Sequence, residues 1–158
     1  MGKYATNTSV GIDRSKAEIE KILTRYGADQ FISAWQSDPP RAFIGFSIEG
    51  RQVKISLPIP DRNSEEFTLT ETGRERSEAA AYTAWEQAQR QRWRALALIV
   101  KAKLEAVDCG ISTIEREFLA DVVLSNGATF GEWAAPQLEA AYTNGKMPPL
   151  LPAPKRKR

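Results

Sequence analysis

The stretch from Thr70 to Gly110 constrains this chain more than any other, because it reads as one helix of about ten turns. Its apolar stripe is Tyr82, Trp85, Trp93, Leu96, Val100, Leu104 and Val107, with Gln89 filling a gap in the 3/4 spacing. Thr72 and Glu75 have capping-box spacing at its start, and Gly110 supplies its stop. Ala88, Ala95, Ala102 and Ala106 lie beside the stripe and permit close approach of a sheet or a second helix. A helix of this length needs a surface to lie on.

The residues before it supply one. From Phe31 to Leu57 the apolar period is two rather than 3.6. Phe31 to Trp35 forms a first strand, closed by Ser37-Asp38-Pro39-Pro40. Ile44, Phe46 and Ile48 alternate on a second strand, Glu49-Gly50 makes a tight turn, and Val53, Ile55 and Leu57 alternate on the return. Pro58 and Pro60 end the pairing, since proline cannot donate to a ladder. Upstream, Asp13 as N-cap, a Ser15/Glu18 capping box and the stripe Ile19, Ile22, Leu23, Tyr26 predict a helix of about three turns that stops at Gly27.

After the long helix, Ser112 with Glu115 opens a short helix to about Leu119. Val122 to Leu124 is a short strand with a turn at Ser125-Asn126-Gly127. Thr129 with Glu132 starts a last helix carrying Trp133, Leu138 and Tyr142, with Pro136 inside it and Asn144-Gly145 at its end. The fold class is therefore α+β: an N-terminal helix, a three-stranded antiparallel β-meander, a long helix packed on the sheet, and a small C-terminal helical subdomain. Residues 1–12 read as an extended arm, 13–147 as a single domain, and 148–158 as a Pro-rich, basic, disordered tail.

Composition narrows the chemistry. Histidine is absent, which removes the commonest general base and the commonest transition-metal ligand. Cys109 is the one cysteine, read as a small buried residue, so no intrachain disulfide or thiolate cluster can form. No apolar run approaches the roughly 18 residues of a membrane span. Carboxylate and Mg²⁺ chemistry stays open, but Glu65-Glu66, Glu115, Glu117 and Asp121 match no known metal loop and read as solvated helix ends. The glycines form no phosphate-cradling loop. The expectation is a binding protein rather than an enzyme, with no cofactor.

The net charge of +2 conceals an asymmetry. Lys155 to Arg158 are all basic, so residues 1–154 carry 18 positive and 20 negative groups. Within the body, the segment from Arg74 to Lys103 holds seven Arg or Lys and three Glu. Arg90, Arg94 and Lys101 return to one face of the helix, while Arg92 and Arg94 flank Trp93. Cations beside an aromatic suit single-stranded DNA, with charges on phosphates and a ring on a base. On the sheet, Phe43 and Lys54 face away from the helix with Gly45, Ser47 and Gln52, as a second stacking platform. The expected nucleic-acid site is thus Arg90, Arg92, Arg94, Lys101, Lys103, Trp93, Phe43 and Lys54. The bland reading stands beside it: Glu86 before Arg90 and Lys101 before Glu105 are helix-stabilising pairs, and Trp93 fits the core stripe.

Several stretches carry a resemblance: Tyr4 to Val10, Arg25 to Phe31, Leu57 to Arg62, Arg92 to Leu96, Ile99 to Val107 and Met147 to Pro152. Together they resemble a family of small proteins encoded by tailed bacteriophages and prophages. The basic ending Lys155 to Arg158 is not part of the likeness. The resemblance implies a phage protein acting in the host bacterial cytoplasm, and it transfers no activity or site. A sheet followed by one long helix is also, by analogy alone, the core arrangement of some single-strand annealing proteins, which act as oligomeric rings. The leading expectation is DNA binding, single-stranded, in phage DNA metabolism or recombination, with homo-oligomerisation as its companion. The alternative is an anti-defence or host-takeover protein that binds a host bacterial protein and inhibits or redirects it.

Overall fold

The structure is a computed structural model that describes Ala5 and residues 7–145; the tail expected at 148–158 lies outside the described residues. The chain is α+β. Its elements are α1 (Ile12–Arg25), β1 (Gln30–Ser37), β2 (Pro40–Ile48), β3 (Arg51–Pro58), α2 (Glu65–Thr68), α3 (Glu78–Asp108), α4 (Ile114–Phe118), a 3₁₀ turn at Leu119–Asp121, and α5 (Phe130–Asn144). The sheet is an antiparallel meander in the order β1-β2-β3.

Alternation sets which sheet face is buried. Ala42, Ile44, Phe46 and Ile48 of β2 and Val53 of β3 point inward. They meet Ile19 and Leu23 of α1, Trp93, Leu96, Ala97, Val100 and Leu104 of α3, and Ile114 and Phe118 of α4. Phe46 and Phe118 meet edge to face at 5.4 Å. Each of these large side chains contributes about 1.5–3 kcal/mol by leaving water. The β2–β3 turn has φ of +48° at Glu49 and +71° at Gly50, the two positive values of a type I′ hairpin turn.

Several helix starts differ from the sequence expectation. Gly11, not Asp13, is the N-cap of α1, because Ile12 already packs on the core and draws the helix start toward it. Asp13 instead sits in the first turn, where it complements the helix dipole. Ser15 is buried within α1, and its Oγ has no hydrogen-bond partner among the described residues. The C-terminal end follows expectation: Gly27 has φ +94°, Ala28 N–H donates to Leu23 O and Gly27 N–H to Thr24 O, the two bonds of a Schellman motif.

The long helix starts at Glu78 rather than near Thr72, with the Ser77 hydroxyl accepting from Ala80 N–H at 3.2 Å. A tight turn competes successfully for the preceding residues. Thr70 Oγ1 accepts from Arg74 N–H at 3.1 Å, Thr70 N–H donates to Arg74 O at 2.8 Å, and Gly73 takes φ +77°. Of the expected stripe, Trp93, Leu96, Val100 and Leu104 are buried and Val107 is partly so. Tyr82 is exposed, and Trp85 is half-buried with its indole N–H on Pro60 O at 2.8 Å, because this end of α3 covers the crossover loop rather than the sheet.

Cys109 is exposed rather than buried; it is the C-cap of α3, past the end of the buried stripe. Thr113, not Ser112, caps α4 by accepting from Arg116 N–H at 3.3 Å. Val122 and Val123 make isolated bridges to Val53 and Thr129 rather than a strand. Thr129 and Glu132 form the expected capping box on α5.

Candidate functional site

The cations of α3 are held by the protein's own groups. Arg90 donates twice to Gln87 Oε1, at 2.8 and 3.0 Å, and lies 3.9 Å from Glu86. Arg92 donates to the Pro58 carbonyl at the end of β3. Arg94 pairs with Glu18 of α1, and Lys103 donates to the Glu117 carbonyl while lying over the Phe118 ring. Lys101 is exposed, and Glu105, four residues on, accepts from the Tyr26 hydroxyl at 2.7 Å. Trp93 is 3% exposed, and Lys16 lies 4.9 Å from its ring centroid. Its ring is core, not a stacking surface, because it occupies the stripe that α3 lays against α1 and the sheet. The structure therefore gathers these residues along one helix and turns most of them to structural work.

The outer sheet face keeps its expected side chains together. Phe43, Gly45, Ser47, Gln52 and Lys54 line it with Gln30, Ile32, Ala34 and Gln36 of β1, and Val123 borders them. They form a shallow groove of about 410 Å³. Lys54 Nζ lies 4.7 Å from the centroid of Phe43. Ile32 lies across Gly45, where an added Cβ would stand 3.0 Å from Ile32 Cγ1, so the glycine makes room for it. Ile32 is 64% exposed. No residue of α5 lines this groove.

A third surface was hidden by the sequence pattern. α5 has no buried residue, although Trp133, Leu138 and Tyr142 are 52, 61 and 65% exposed. Ala134, Leu138, Ala141 and Tyr142 follow offsets of 0, 4, 7 and 8, which place them on one side of the helix. Among the described residues the helix is anchored at its start. Phe130 N–H donates to Val122 O at 2.8 Å, and Gly131 rests on Ala120, where a Cβ would come within 2.9 Å of a carbonyl oxygen. Helical spacing of apolar residues serves a buried stripe and an exposed one alike.

Two carboxylates near the anchor titrate abnormally. Glu132 is held below its ordinary range, chiefly by the Thr129 backbone N–H it accepts at 2.8 Å, with Lys54 and Arg41 of the outer sheet face adding to the effect. Burial pushes Asp121 up, against the pull of Lys103. Among the described residues no group of three or more acidic or cysteine side chains converges as a metal site.

No protein-family model matches the chain, and neither a curated protein nor a solved structure does. No described helix is long and apolar enough to cross a membrane.

Proposed function

We propose that this protein acts by binding rather than by catalysis, and that its principal partner is another protein that receives the apolar side of α5. The observation that carries this reading is the exposure of Leu138 and Tyr142 on one side of a 15-residue helix that has no buried residue. A helix with 3.6-period apolar residues and no core to cover is half of an interface, suited to the apolar groove of another chain. Charge favours the same conclusion. Lys146 and Lys155 to Arg158 take five of the 22 basic residues, leaving 17 against all 20 acidic ones in residues 1–145. That balance gives phosphates little long-range attraction. With the resemblance to tailed-phage proteins, the partner is a host bacterial protein met in the cytoplasm, which the phage protein inhibits or redirects.

The test is capture from nuclease-treated bacterial lysate by the full chain and by a Leu138→Asp/Tyr142→Asp variant. The expected result is one bacterial protein retained in stoichiometric amount by the parent and lost from the variant, whose urea midpoint is unchanged. Retention of that protein by the variant would overturn the assignment to α5.

A second reading is favoured by the Lys54–Phe43 stack: single-stranded DNA lying across the outer sheet face. There Phe43 would take a base, Lys54 a phosphate, and the amides of Gln30, Gln36 and Gln52 base edges. A fluorescent oligonucleotide titrated across a salt series checks it. Steep weakening with salt and loss on Phe43→Ala support it; no binding at low salt retires it.

A further inference from the structure

We propose that β1 pairs with β1 of a second copy of this chain, antiparallel about a twofold axis at Ser33, joining the two meanders into one six-stranded sheet. The inference does not depend on the partner of α5. It starts from unequal sheet edges. On the far side of β3, Val123 N–H donates to Gln52 O at 2.8 Å and Arg92 reaches Pro58 O. On the far side of β1 no described element adds a strand: the sheet ends there.

The edge points its hydrogen-bonding groups outward at alternate residues. Ile59 N–H donates to Pro40 O, so the even-numbered residues of β2 bond toward β3. The odd-numbered ones, Arg41 to Ser47, then bond toward β1, where they face Gln36, Ala34, Ile32 and Gln30. Phe31, Ser33 and Trp35 are left with N–H and C=O directed away from the sheet. Edge strands of monomers are guarded by charge, proline or a bulge. β1 has none of these: Gln30 to Ser37 carries no charge and no proline, and it pairs with β2 through eight consecutive residues without interruption. The nearest charges, Asp29 and Asp38, lie just beyond its two ends. It also leaves Trp35 79% exposed.

The strand is complementary to itself in one register. With Ser33 opposite Ser33, Phe31 falls opposite Trp35 of the second copy, twice, on the face that carries the core. Ile32 falls opposite Ala34, and Gln30 opposite Gln36, on the outer face. The outward-directed residues are then the hydrogen-bonded pairs, as the edge geometry requires. Aromatic cross-strand pairs are among the favourable ones. The apolar floor made by Ile32, Ala34 and Phe43 also continues from one copy to the next, so the outer groove is complete only in the dimer.

Sedimentation velocity of the full chain decides it, read against the 17.6 kDa of one chain. A particle of twice that mass is expected at micromolar concentration, and a monomer overturns the proposal. Ser33→Pro removes an N–H that takes no bond within the sheet, so a monomer with an unchanged circular dichroism spectrum is expected; a folded variant that stays dimeric overturns edge pairing. Should that variant fail to fold, Ser33→Cys in a Cys109→Ser background decides instead. Its Cα atoms would stand about 5.5 Å apart, within disulfide reach, so a covalent dimer should form on oxidation. Absence of that cross-link overturns the register.

Discussion

Arg94 of α3 and Glu18 of α1 form an ion pair in the crevice between the two helices, 76 residues apart in the chain. Two turns along α1, the Tyr26 hydroxyl donates to Glu105 of α3 at 2.7 Å. Both side chains of the pair are mostly shielded, so it is worth more than a surface pair. Arg94→Ala should lower stability by about 1–2 kcal/mol. Glu18→Gln should cost a similar amount, and the double variant less than the sum, in urea unfolding. Additive losses would mean that the two groups do not interact.

Three of the four tryptophans divide sharply by burial. Trp93 is enclosed by α1, α3 and the sheet, whereas Trp35 and Trp133 face solvent. Trp93→Ala should cost about 3–5 kcal/mol through the cavity it leaves. Trp133→Ala should stay within about 0.5 kcal/mol of the parent, because a solvent-facing ring has little to lose. A large loss at Trp133 would indicate that α5 packs on the body more closely than its exposure shows.

The core was legible because local signals agreed there. The alternation of Ile44, Phe46 and Ile48, the Glu49-Gly50 turn, the Gly27 stop and the Thr129/Glu132 box each involve neighbours within a few residues. The start of α3 was not. Thr72 with Glu75 offers a cap as good as Ser77 does, and the choice falls to a turn tied by Arg76, whose guanidinium reaches the Phe67 carbonyl at 3.3 Å. The surroundings of the α3 arginines were only partly legible for the same reason. Spacing within the helix reveals Glu86 beside Arg90, but the partners of Arg92 and Arg94 come from β3 and α1. Exposure of α5 leaves no trace in its sequence, since the same spacing serves a core and an interface.

The β2–β3 turn invites stabilisation. Glu49 holds φ +48°, a conformation that asparagine adopts more readily than glutamate, and Gly50 already supplies the second positive φ. Glu49→Asn should raise stability by about 0.5–1 kcal/mol, seen as a higher urea midpoint with an unchanged slope. A lower midpoint would mean that the Glu49 carboxylate does something in the fold beyond the turn.

Acid should act on the α5 anchor in two opposed steps. Asp121 has a raised folded pKa, so its protonated form is favoured in the fold; that contribution is present below the unfolded pKa and is lost as pH rises through the folded one. Glu132 has a lowered folded pKa, so its contribution is present above the unfolded pKa and is lost as pH falls through the folded one. Acidification from neutral pH therefore brings a gain as Asp121 takes up its proton and a loss as Glu132 does. Asp121→Asn should raise the urea midpoint at pH 7 and abolish that gain. Glu132→Gln retains an oxygen that can accept from Thr129 N–H, so it should keep α5 anchored while removing the loss. Trp133 fluorescence through the titration reports on this helix, and an acid limb unchanged in Glu132→Gln would place the acid sensitivity elsewhere in the fold.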